Sequence, residues 1–487
     1  MSDLAEAPGL LDRALRRVSA LWRDMASSVY RSAEDGFAEQ MRACLEARGG
    51  EVSARSHAAG LAQAYLAADA AGRAEFLRAL ASFDSDPEAV REACDEVAAA
   101  TGIAERAAAK ARLRRALEPP RVRLLTQFNT IPDGVKFVVD LRAELLARMR
   151  GDPMLEALDS DFRTLLANWF DVGFLELRRI DWCSPASLLE KLVQYEAVHR
   201  IRTWRDLKNR LDSDRRCYAF FHPRMPEEPL IFVEVALVKG MADNVQRLLD
   251  EKAPVLDPKH TDTAIFYSIN NCQRGLDGIS FGNFLIKRVV EVLSAEFRNL
   301  KSFATLSPIP GFRRWLEERI ADGDALLISE EEATALRSVA PADLALPAPA
   351  ADGAVVAPPR PAPVESALQT LARLLARRRL VREEAVAKAL DPVLMRACAR
   401  YLLAETARGR SKRARDPVAH FHLSNGARVE RLNPRGDVSE KGWRESVGMM
   451  VNYLYDPARI EDYHEDYAGE GKRAASSAVR RLARGFI

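Results

Sequence analysis

The sequence predicts an α+β protein with an all-helical bundle domain in its N-terminal part and a mixed α/β domain after it. Residues 1–150 place apolar side chains at helical spacing and show almost no strand pattern. Further along the chain, runs of aromatic and β-branched residues alternate with helical segments, which is typical of a mixed sheet domain. We therefore predict a helical domain at 1–170 and a second domain at 171–487.

The helical region is predicted from apolar stripes and from helix-start signals. One stripe consists of Leu11, Leu15, Val18 and Trp22. Asp86 followed by Pro87 predicts a helix start, because aspartate caps the first turn and proline fits its first position. The helical pattern is predicted to continue through 151–215, where Phe and Trp become frequent, as at a boundary between two domains.

Strands are predicted at 217–221 (CYAFF) and 229–238 (PLIFVEVALV), which are rich in aromatic and β-branched residues. The Ala/Pro-rich segment 338–364 predicts a solvated excursion with little reason to pack. Near the C-terminal end, AHFHLSNGARVERLN predicts strand structure with a hairpin turn at Asn425 and Gly426.

The composition disfavours several classes of function. Lys and Arg number 72 against 70 Asp and Glu, whereas dedicated nucleic-acid and polybasic membrane binders carry a basic excess. No apolar run reaches the roughly 18 residues that span a bilayer, and we expect no secretory signal. The six cysteines lie far apart without CxxC spacing, so we expect reduced thiols in a cytoplasmic protein with no nucleic-acid or membrane partner.

Chemistry is expected in the stretch 264–315, which predicts a buried strand, a glycine-bearing loop, an amphipathic helix and a second strand. Gly275, Gly278 and Gly282 lead into the helix, and the free N–H groups of its first turn could bind phosphate. The loop matches neither the Walker A pattern nor GxGxxG. A plain strand-to-helix turn explains the same spacing.

Ser307 and His422 are the polar residues that could carry chemistry. Ser307 begins a Ser-Pro-Ile-Pro-Gly turn whose prolines end the strand, although it lies outside any GxSxG motif and could be structural. His420 and His422 would share one face of the predicted strand. They could lie on a solvated face, belong to a metal site or act in acid–base chemistry. No third metal ligand is evident, and we assign no metal.

Several blocks of the sequence, taken in order, resemble the malonyl-CoA decarboxylase family. They are TAIFYSI, QRGLDG, GNFLIKRVV, LSPIPGF, DPVAHFHLSNGA and NYLY. The resemblance begins near residue 169 and is looser in the helical part. It implies a helical domain followed by a catalytic domain of the GNAT acetyltransferase-like fold. It also implies the conversion of malonyl-CoA to acetyl-CoA and carbon dioxide.

The resemblance further implies the residues of the site. Ser307 and His422 correspond to the catalytic serine and histidine, both in contact with substrate. The acyl-CoA loop corresponds to Asp277, Gly278, Ile279, Ser280, Phe281, Gly282 and Asn283. This loop departs from the usual Q/R-x-x-G-x-G/A pattern, and some relatives carry glutamate in place of Ser280. Asn452 and Tyr455 are further candidates for substrate binding at the pocket wall, with Tyr455 as a core residue the alternative.

The implied chemistry needs no cofactor or metal beyond the substrate's own CoA, because the thioester carbonyl accepts the electron pair when carbon dioxide leaves. We expect His422 to protonate the resulting enolate and Ser307 to orient the malonyl group. Backbone amides beside 264–270 would hold the thioester carbonyl. A homo-oligomer, tetramer or dimer, is expected through the helical domain. The alternatives are an acyl-CoA-dependent acetyltransferase of the same fold and a non-catalytic CoA-binding scaffold.

Overall fold

A computed structural model describes Trp22 and residues 36–46, 50–279, 285–340, 366–377, 383–407 and 409–486. Most of the excursion predicted at 338–364 therefore lies outside the described residues. The chain divides into two compact units. Unit 1 comprises Met1–Trp204, Tyr218–Phe232 and Asn270–Gly282, and unit 2 comprises Arg205–Cys217, Val233–Ile269 and Asn283–Ile487.

The described N-terminal part of unit 1 is helical, as predicted. Its helices are α1 (Phe37–Glu46), α2 (Gly50–Ala67), α3 (Ala70–Ser82), α4 (Pro87–Ala99), α5 (Ile103–Leu117), α6 (Pro120–Phe128), α7 (Gly134–Arg148) and α8 (Pro153–Trp169). The start predicted at Asp86 is confirmed: its side chain accepts a hydrogen bond from the backbone N–H of Glu88, with Pro87 in the first turn.

Aromatic side chains form the centre of the helical core in unit 1. Phe137 of α7 packs edge-to-face against Trp22, Tyr65 and Phe128, with ring centroids 5.5, 5.6 and 4.9 Å away. Tyr65 in turn contacts Phe76 of α3 at 4.8 Å. Edge-to-face pairs of this kind add about 0.5–1.5 kcal/mol beyond the burial of their area. Residues far apart in sequence are therefore fixed in one helical core.

The prediction that 151–215 is helical throughout was wrong. This segment contains α8, α9 (Ala186–Tyr195) and α10 (Trp204–Arg210), but Glu176–Ile180 forms strand β1 at one end of the sheet. An end strand need not be apolar on both faces, and only Ile180 of this strand is buried. Its polar sequence therefore lacks the pattern by which buried strands are recognised.

The sheet confirms the strands predicted at 217–221 and 229–238. Its further strands are β2 (Arg215–His222), β3 (Met225–Val238), β4 (Thr263–Asn271), β5 (Ser302–Thr305), β6 (Ser307–Pro308), β9 (Arg428–Asn433) and β10 (Met450–Leu454). The order is β1-β2-β3-β4-β5-β10-β6, and β9 pairs with β10. β4 and β5 are parallel, whereas β10 runs antiparallel to β5, β6 and β9.

In unit 2, helix α11 (Val245–Leu248) covers one face of the sheet, and α12 (Leu285–Glu296) connects β4 with β5. Ile265, Ala304 and Met450 face α11 in a fully buried apolar cluster. Because successive side chains of a strand alternate between faces, Thr305 and Ser307 point to the opposite face. The polar site described below lies on that face.

The other described elements of unit 2 are helical apart from one small ribbon. They are α13 (Phe312–Ala321), α14 (Glu330–Val339), α15 (Ala367–Ala376), α16 (Glu384–Leu403), the ribbon of β7 (Thr406–Ala407) and β8 (Arg410–Ala414), α17 (Pro417–Ser424), α18 (Glu440–Ser446), α19 (Ile460–Glu470) and α20 (Ser477–Leu482). Together with the sheet, they confirm the predicted α+β class.

The strand predicted to carry His420 and His422 was wrong, because these residues lie in helix α17. Asp416 caps the helix by accepting hydrogen bonds from the backbone N–H groups of Val418 and Ala419, both at 2.9 Å. Gly426, at φ +77°, follows the helix in the left-handed conformation that commonly ends one. The Asn-Gly pair is therefore a helix end, and the strand β9 begins after it.

Two further findings concern the described residues only. No helix among them combines the length and apolar character needed to cross a membrane. No two of the six cysteines, all of which lie among the described residues, form a disulfide, and Cys44, Cys217, Cys272 and Cys398 are buried. Free thiols were predicted from the cysteine spacing.

Candidate active site

Ser307 lies where β5 gives way to the short strand β6, and the prolines that follow it stop the strand. The serine is buried, and its Oγ lies 2.8 Å from Oγ1 of Thr305. The backbone N–H of Tyr453 donates to the same Oγ1 at 3.1 Å. The serine hydroxyl is therefore held by a second hydroxyl that is itself fixed by strand β10.

His422 brings its imidazole to this hydroxyl from helix α17. Its Nε2 lies 3.0 Å from Oγ of Ser307, and its Nδ1 lies 2.8 Å from the phenol oxygen of Tyr455. The ring stacks on Tyr453, with centroids 4.5 Å apart and an interplanar angle of 26°. Both ring nitrogens are used and one ring face is covered, so the imidazole is held in a single orientation.

The charge state around Ser307 and His422 differs from that of the catalytic residues of a serine protease. Burial lowers the pKa of His422 to about 3 and raises the pKa of the Tyr455 phenol well above its usual value. Both groups are therefore neutral near pH 7. Within the described part of the chain, neither ring nitrogen of His422 bonds to a carboxylate of the kind that stabilises imidazolium in a Ser-His-Asp triad. This arrangement does not favour a serine nucleophile.

Asp416 ties the serine turn to the histidine helix. It is fully buried, caps α17, and accepts a further hydrogen bond from the backbone N–H of Gly311, four residues after Ser307. Tyr401 approaches the same carboxylate at 3.4 Å. Burial raises the pKa of Asp416 to about 6, and the hydrogen bonds from backbone N–H groups oppose the rise. One carboxylate thus fixes both segments that carry the pair.

Gly311 permits this close approach. A Cβ atom at this position would lie 2.3 Å from the hydroxyl of Tyr401, a distance at which the tyrosine would have to move. The glycine of the Ser-Pro-Ile-Pro-Gly turn is therefore required by packing.

Asn452, predicted as a substrate-binding residue, lies on β10 with its amide fully hydrogen-bonded. Its Oδ1 accepts from Asn433 at 2.8 Å and from Arg431 at 3.1 Å, and its Nδ2 donates to the carbonyl of Thr305 at 2.7 Å. This amide fixes the strand beside Ser307. The substrate-binding role stays a prediction.

The predicted acyl-CoA loop belongs in part to unit 1. Asp277, Gly278 and Ile279 follow a 3₁₀ turn at Arg274–Leu276, whereas 280–283 lie outside the described residues. Gly278 has φ +75°, a conformation that glycine adopts without strain. Burial raises the pKa of Asp277, and the guanidinium groups of Arg274 and Arg142 oppose the rise. The roles of the loop residues in binding also stay predictions.

The positions of His420 and His422 do not support a metal site, which was one of the alternatives for these residues. In α17 they are two residues apart and so point to different sides. Nδ1 of His420 contacts the hydroxyl of Tyr467 at 2.8 Å. Over the ranges that the structure describes, no group of three or more His, Cys, Asp or Glu side chains could hold a metal ion.

Sequence reasoning missed two residues of the site. Thr305 ends β5 two positions before Ser307 in a continuously extended stretch, so strand alternation could have placed both hydroxyls on one face. Asp416 precedes Pro417 just as Asp86 precedes Pro87, and the same signal could have identified the helix that carries His422.

Comparison with known proteins places the chain in one family. Residues 173–486 match the family model of the malonyl-CoA decarboxylase C-terminal domain. Residues 83–170 match that of the malonyl-CoA decarboxylase N-terminal domain.

Individual relatives agree with the family models. The chain is 36% identical over 435 residues to the mitochondrial malonyl-CoA decarboxylase of Rattus norvegicus, covering 86% of this chain and 83% of the rat protein. It is 37% identical over 358 residues to that of Anser anser anser, covering 71% of this chain and 66% of the goose protein.

Solved structures give the same result. The crystal structure of malonyl-CoA decarboxylase from Rhodopseudomonas palustris has a TM-score of 0.77 and 40% identity, covering 91% of this chain and 98% of that one. The corresponding structure from Agrobacterium vitis has a TM-score of 0.78 and 38% identity, with 92% and 99% covered. The chain belongs to the malonyl-CoA decarboxylase family.

Proposed function

We propose that this protein decarboxylates malonyl-CoA to acetyl-CoA and carbon dioxide. The observation that carries the proposal is the buried pair of Ser307 and His422, with Oγ and Nε2 3.0 Å apart, in a chain of this family. The pair offers a hydroxyl and an imidazole to one substrate group in a site that protein atoms shield from water.

The reaction sets three tasks for the protein. The bond between the carboxylate carbon and the α-carbon breaks, its electron pair moves into the thioester to form an enolate, and carbon dioxide leaves. The protein must orient the carboxylate, stabilise the developing oxyanion and protonate the α-carbon. A single aimed hydrogen-bond donor contributes about 3–4 kcal/mol to such a barrier, and a positioned general acid contributes about 100- to 10,000-fold in rate.

We assign Ser307 to the carboxylate and His422 to the proton. In the free protein His422 is neutral because burial lowers its pKa to about 3. A malonyl carboxylate beside the ring raises that pKa, since an opposite charge stabilises imidazolium. His422 then takes up one proton from solvent. It gives this proton to the enolate carbon once carbon dioxide has left, and returns to its neutral form.

Tyr455 and Thr305 support these two residues from behind. The Tyr455 hydroxyl occupies Nδ1 of His422, which leaves Nε2 for Ser307 and the substrate. Thr305 anchors the serine hydroxyl. Tyr455 can thus serve the site from a core position, which reconciles the two alternatives considered for it.

The CoA part is proposed to bind along the loop 277–283 before α12, as in a GNAT acetyltransferase-like domain. The parallel pairing of β4 and β5, with α12 between them in sequence, supports this proposal. The backbone of β4 (Thr263–Asn271) would supply amides to the thioester carbonyl. The substrate carries the CoA, so we propose no further cofactor and no metal.

The test separates this proposal from an acyl-CoA-dependent acetyltransferase of the same fold. The purified protein is incubated with malonyl-CoA and no acceptor, and carbon dioxide and acetyl-CoA are measured. Equal amounts of the two products support decarboxylation. If acetyl-CoA is consumed only when an amine is added, the protein is a transferase; if CoA binds and nothing turns over, it is a scaffold.

Assembly and location belong to the same proposal. We propose a homo-oligomer, dimer or tetramer, formed through the helical domain, in the cytoplasm, with no nucleic-acid or membrane partner. The near balance of 72 basic and 70 acidic residues supports the last point. The goose and rat relatives are named mitochondrial, so cell fractionation is the appropriate test of location. Light scattering of the purified protein tests the oligomeric state.

A further inference from the structure

A buried arginine of the helical region contacts residues 275–277, at the start of the loop assigned above to acyl-CoA. Arg142 of α7 is 1% exposed, and its Nε donates to Oδ1 of Asp159 on α8 at 2.8 Å. Its Nη1 donates to the carbonyl of Gly275 at 2.6 Å and to the carbonyl of Asp277 at 2.9 Å. One guanidinium therefore joins two helices to two peptide groups of the loop.

The loop backbone lies directly on helix α7. A Cβ atom at Gly275 would be 1.7 Å from the carbonyl oxygen of Val139, so no other residue fits there without displacing the loop. The close approach to Val139 and the hydrogen bonds from Arg142 fix the position of this part of the loop. Arg142 and Gly275 act together in setting it.

A second arginine reaches the next carbonyl of the same loop. Arg163 of α8 is exposed, and its Nη2 lies 3.4 Å from the carbonyl of Gly278. No ion pair of Arg163 is found within the described residues, so its positive charge is not neutralised by a carboxylate there. We call Arg142 and Arg163 the arginine clamp.

We propose that the arginine clamp positions residues 275–278, where the acyl-CoA loop begins, for the phosphates of CoA, so that the helical domain controls substrate affinity. The proposal rests on the proposed function for the identity of the ligand. Carbonyl oxygens repel phosphate, whereas guanidinium groups bound to those oxygens oppose their dipoles. The charge of Arg142 is balanced by Asp159, so the net positive charge comes from Arg163. The clamp covers the carbonyls of Gly275, Asp277 and Gly278, and so favours an anion beside this part of the loop.

Another buried arginine of the same region provides a matched control. Arg121 is 3% exposed, donates to Asp161 at 2.6 Å and to the carbonyl of Ala81 at 2.8 Å. It resembles Arg142 in burial and in ion pairing, but its hydrogen bonds go to helical-domain residues outside the loop. Substitution at Arg121 therefore measures how much stability is lost when a buried ion pair is disturbed without any change at the loop.

The experiment compares Arg142→Lys with Arg121→Lys in the full-length protein. Lysine keeps the charge but has one nitrogen in place of the planar guanidinium, so it cannot reproduce the geometry in which Nε bonds Asp159 and Nη1 bonds the two carbonyls. The dissociation constant for CoA is measured by calorimetry. The values of kcat and KM are measured with malonyl-CoA as substrate, and folding is checked by thermal unfolding. For Arg142→Lys we expect Kd and KM to rise about tenfold or more with kcat within about threefold, because only binding is weakened. Arg121→Lys should lower thermal stability and leave Kd and KM unchanged.

Arg163→Ala keeps the test decisive if Arg142→Lys folds poorly. Its side chain is exposed, so the variant should fold normally and raise the Kd for CoA about threefold or more. Unchanged affinity in a folded Arg142→Lys would overturn the proposal, and so would unchanged affinity in Arg163→Ala if Arg142→Lys does not fold. An equal loss of affinity in Arg121→Lys would also overturn it. If the unaltered protein binds CoA but releases no carbon dioxide from malonyl-CoA, the proposed function is contradicted and the proposal for the clamp is not. If the unaltered protein does not bind CoA, both are contradicted.

Discussion

The Oγ atom of Ser307 lies 3.0 Å from Nε2 of His422, although 115 residues separate them in the chain. The serine comes from the end of a strand and the histidine from a short helix, and both are buried. Tyr455 and Thr305 occupy their remaining hydrogen-bonding positions. A neutral hydroxyl and a neutral imidazole are thus held together before any substrate arrives.

Replacement of Ser307 by alanine should slow the chemical step. The variant loses the hydroxyl that we assign to the malonyl carboxylate, and we expect kcat to fall about 100- to 1,000-fold, the effect of removing one aimed donor. The CoA dissociation constant should stay within about threefold, because we assign the hydroxyl to the malonyl carboxylate and not to the nucleotide part. Ser302→Ala, at the start of β5, is the control and should keep normal kcat. Equal turnover in the two variants would remove Ser307 from the mechanism.

Replacement of Tyr455 by phenylalanine should affect the histidine alone. The variant leaves Nδ1 of His422 without its 2.8 Å partner in a buried site, at a cost of about 1–3 kcal/mol, and kcat should fall about tenfold or more. Tyr453→Phe is a close control. Tyr453 stacks on the same imidazole, but its hydroxyl has no hydrogen-bond partner in the described part of the chain. Steady-state kinetics should therefore show a lower kcat for Tyr455→Phe than for Tyr453→Phe. An equal fall in kcat in both variants would refute the role of the Tyr455 hydroxyl.

Replacement of Asp416 by alanine should reduce both stability and turnover. Removing a helix cap costs about 0.5–2 kcal/mol, and here the same carboxylate also holds Gly311 beside Ser307. Urea unfolding and kcat measure the two effects. Asp86→Ala removes the cap of another Asp-Pro helix start, α4, at an exposed position. It should lose stability only. Normal kcat in Asp416→Ala would show that the pair does not depend on this carboxylate.

The stability of the protein should depend on pH through His422. The folded pKa of about 3 lies below the ordinary value of about 6.5, so the unfolded chain binds more protons between these limits. The contribution of the neutral ring is complete above about pH 6.5 and is lost as the pH falls toward 3. Relative to His422→Asn, the wild-type free energy of unfolding should therefore decline by up to about 1.4 kcal/mol per pH unit in that window.

Denaturant unfolding at about pH 5 and at about pH 7 measures this difference. Asp416 has the opposite sign, because burial raises its pKa to about 6 and the folded state holds its proton more tightly. That contribution is present in both proteins and largely cancels in the comparison. A difference between wild type and variant that is independent of pH would contradict a neutral, buried His422.

Much of the fold could be predicted from the sequence where the local signal was strong. The strands at 217–221 and 229–238 are apolar on both faces, and Asp86 with Pro87 is an unambiguous helix start. Ser307 was identifiable as a strand-end residue because prolines follow it. Its role came from the resemblance of its surroundings to a known family.

The predictions that were wrong have physical reasons. In AHFHL, polar and apolar side chains alternate as in a half-buried strand, and an eight-residue helix is too short to display its own period. Strand β1 has a polar sequence because it lies at one end of the sheet. The pairing of Ser307 with His422 depends on the strand order and on the cap at Asp416. No local pattern encodes contacts across so long a separation.

The central claim is that His422 delivers the proton in a decarboxylation of malonyl-CoA. The most direct measurement is the release of carbon dioxide from malonyl-CoA in deuterated water by wild type and by His422→Asn, with CoA affinity measured in parallel. We predict one solvent deuterium in the acetyl group of the wild-type product, and a fall in kcat of about 100- to 10,000-fold for the variant with CoA affinity retained. Release of carbon dioxide by a folded His422→Asn protein at a rate near that of wild type would contradict the claim.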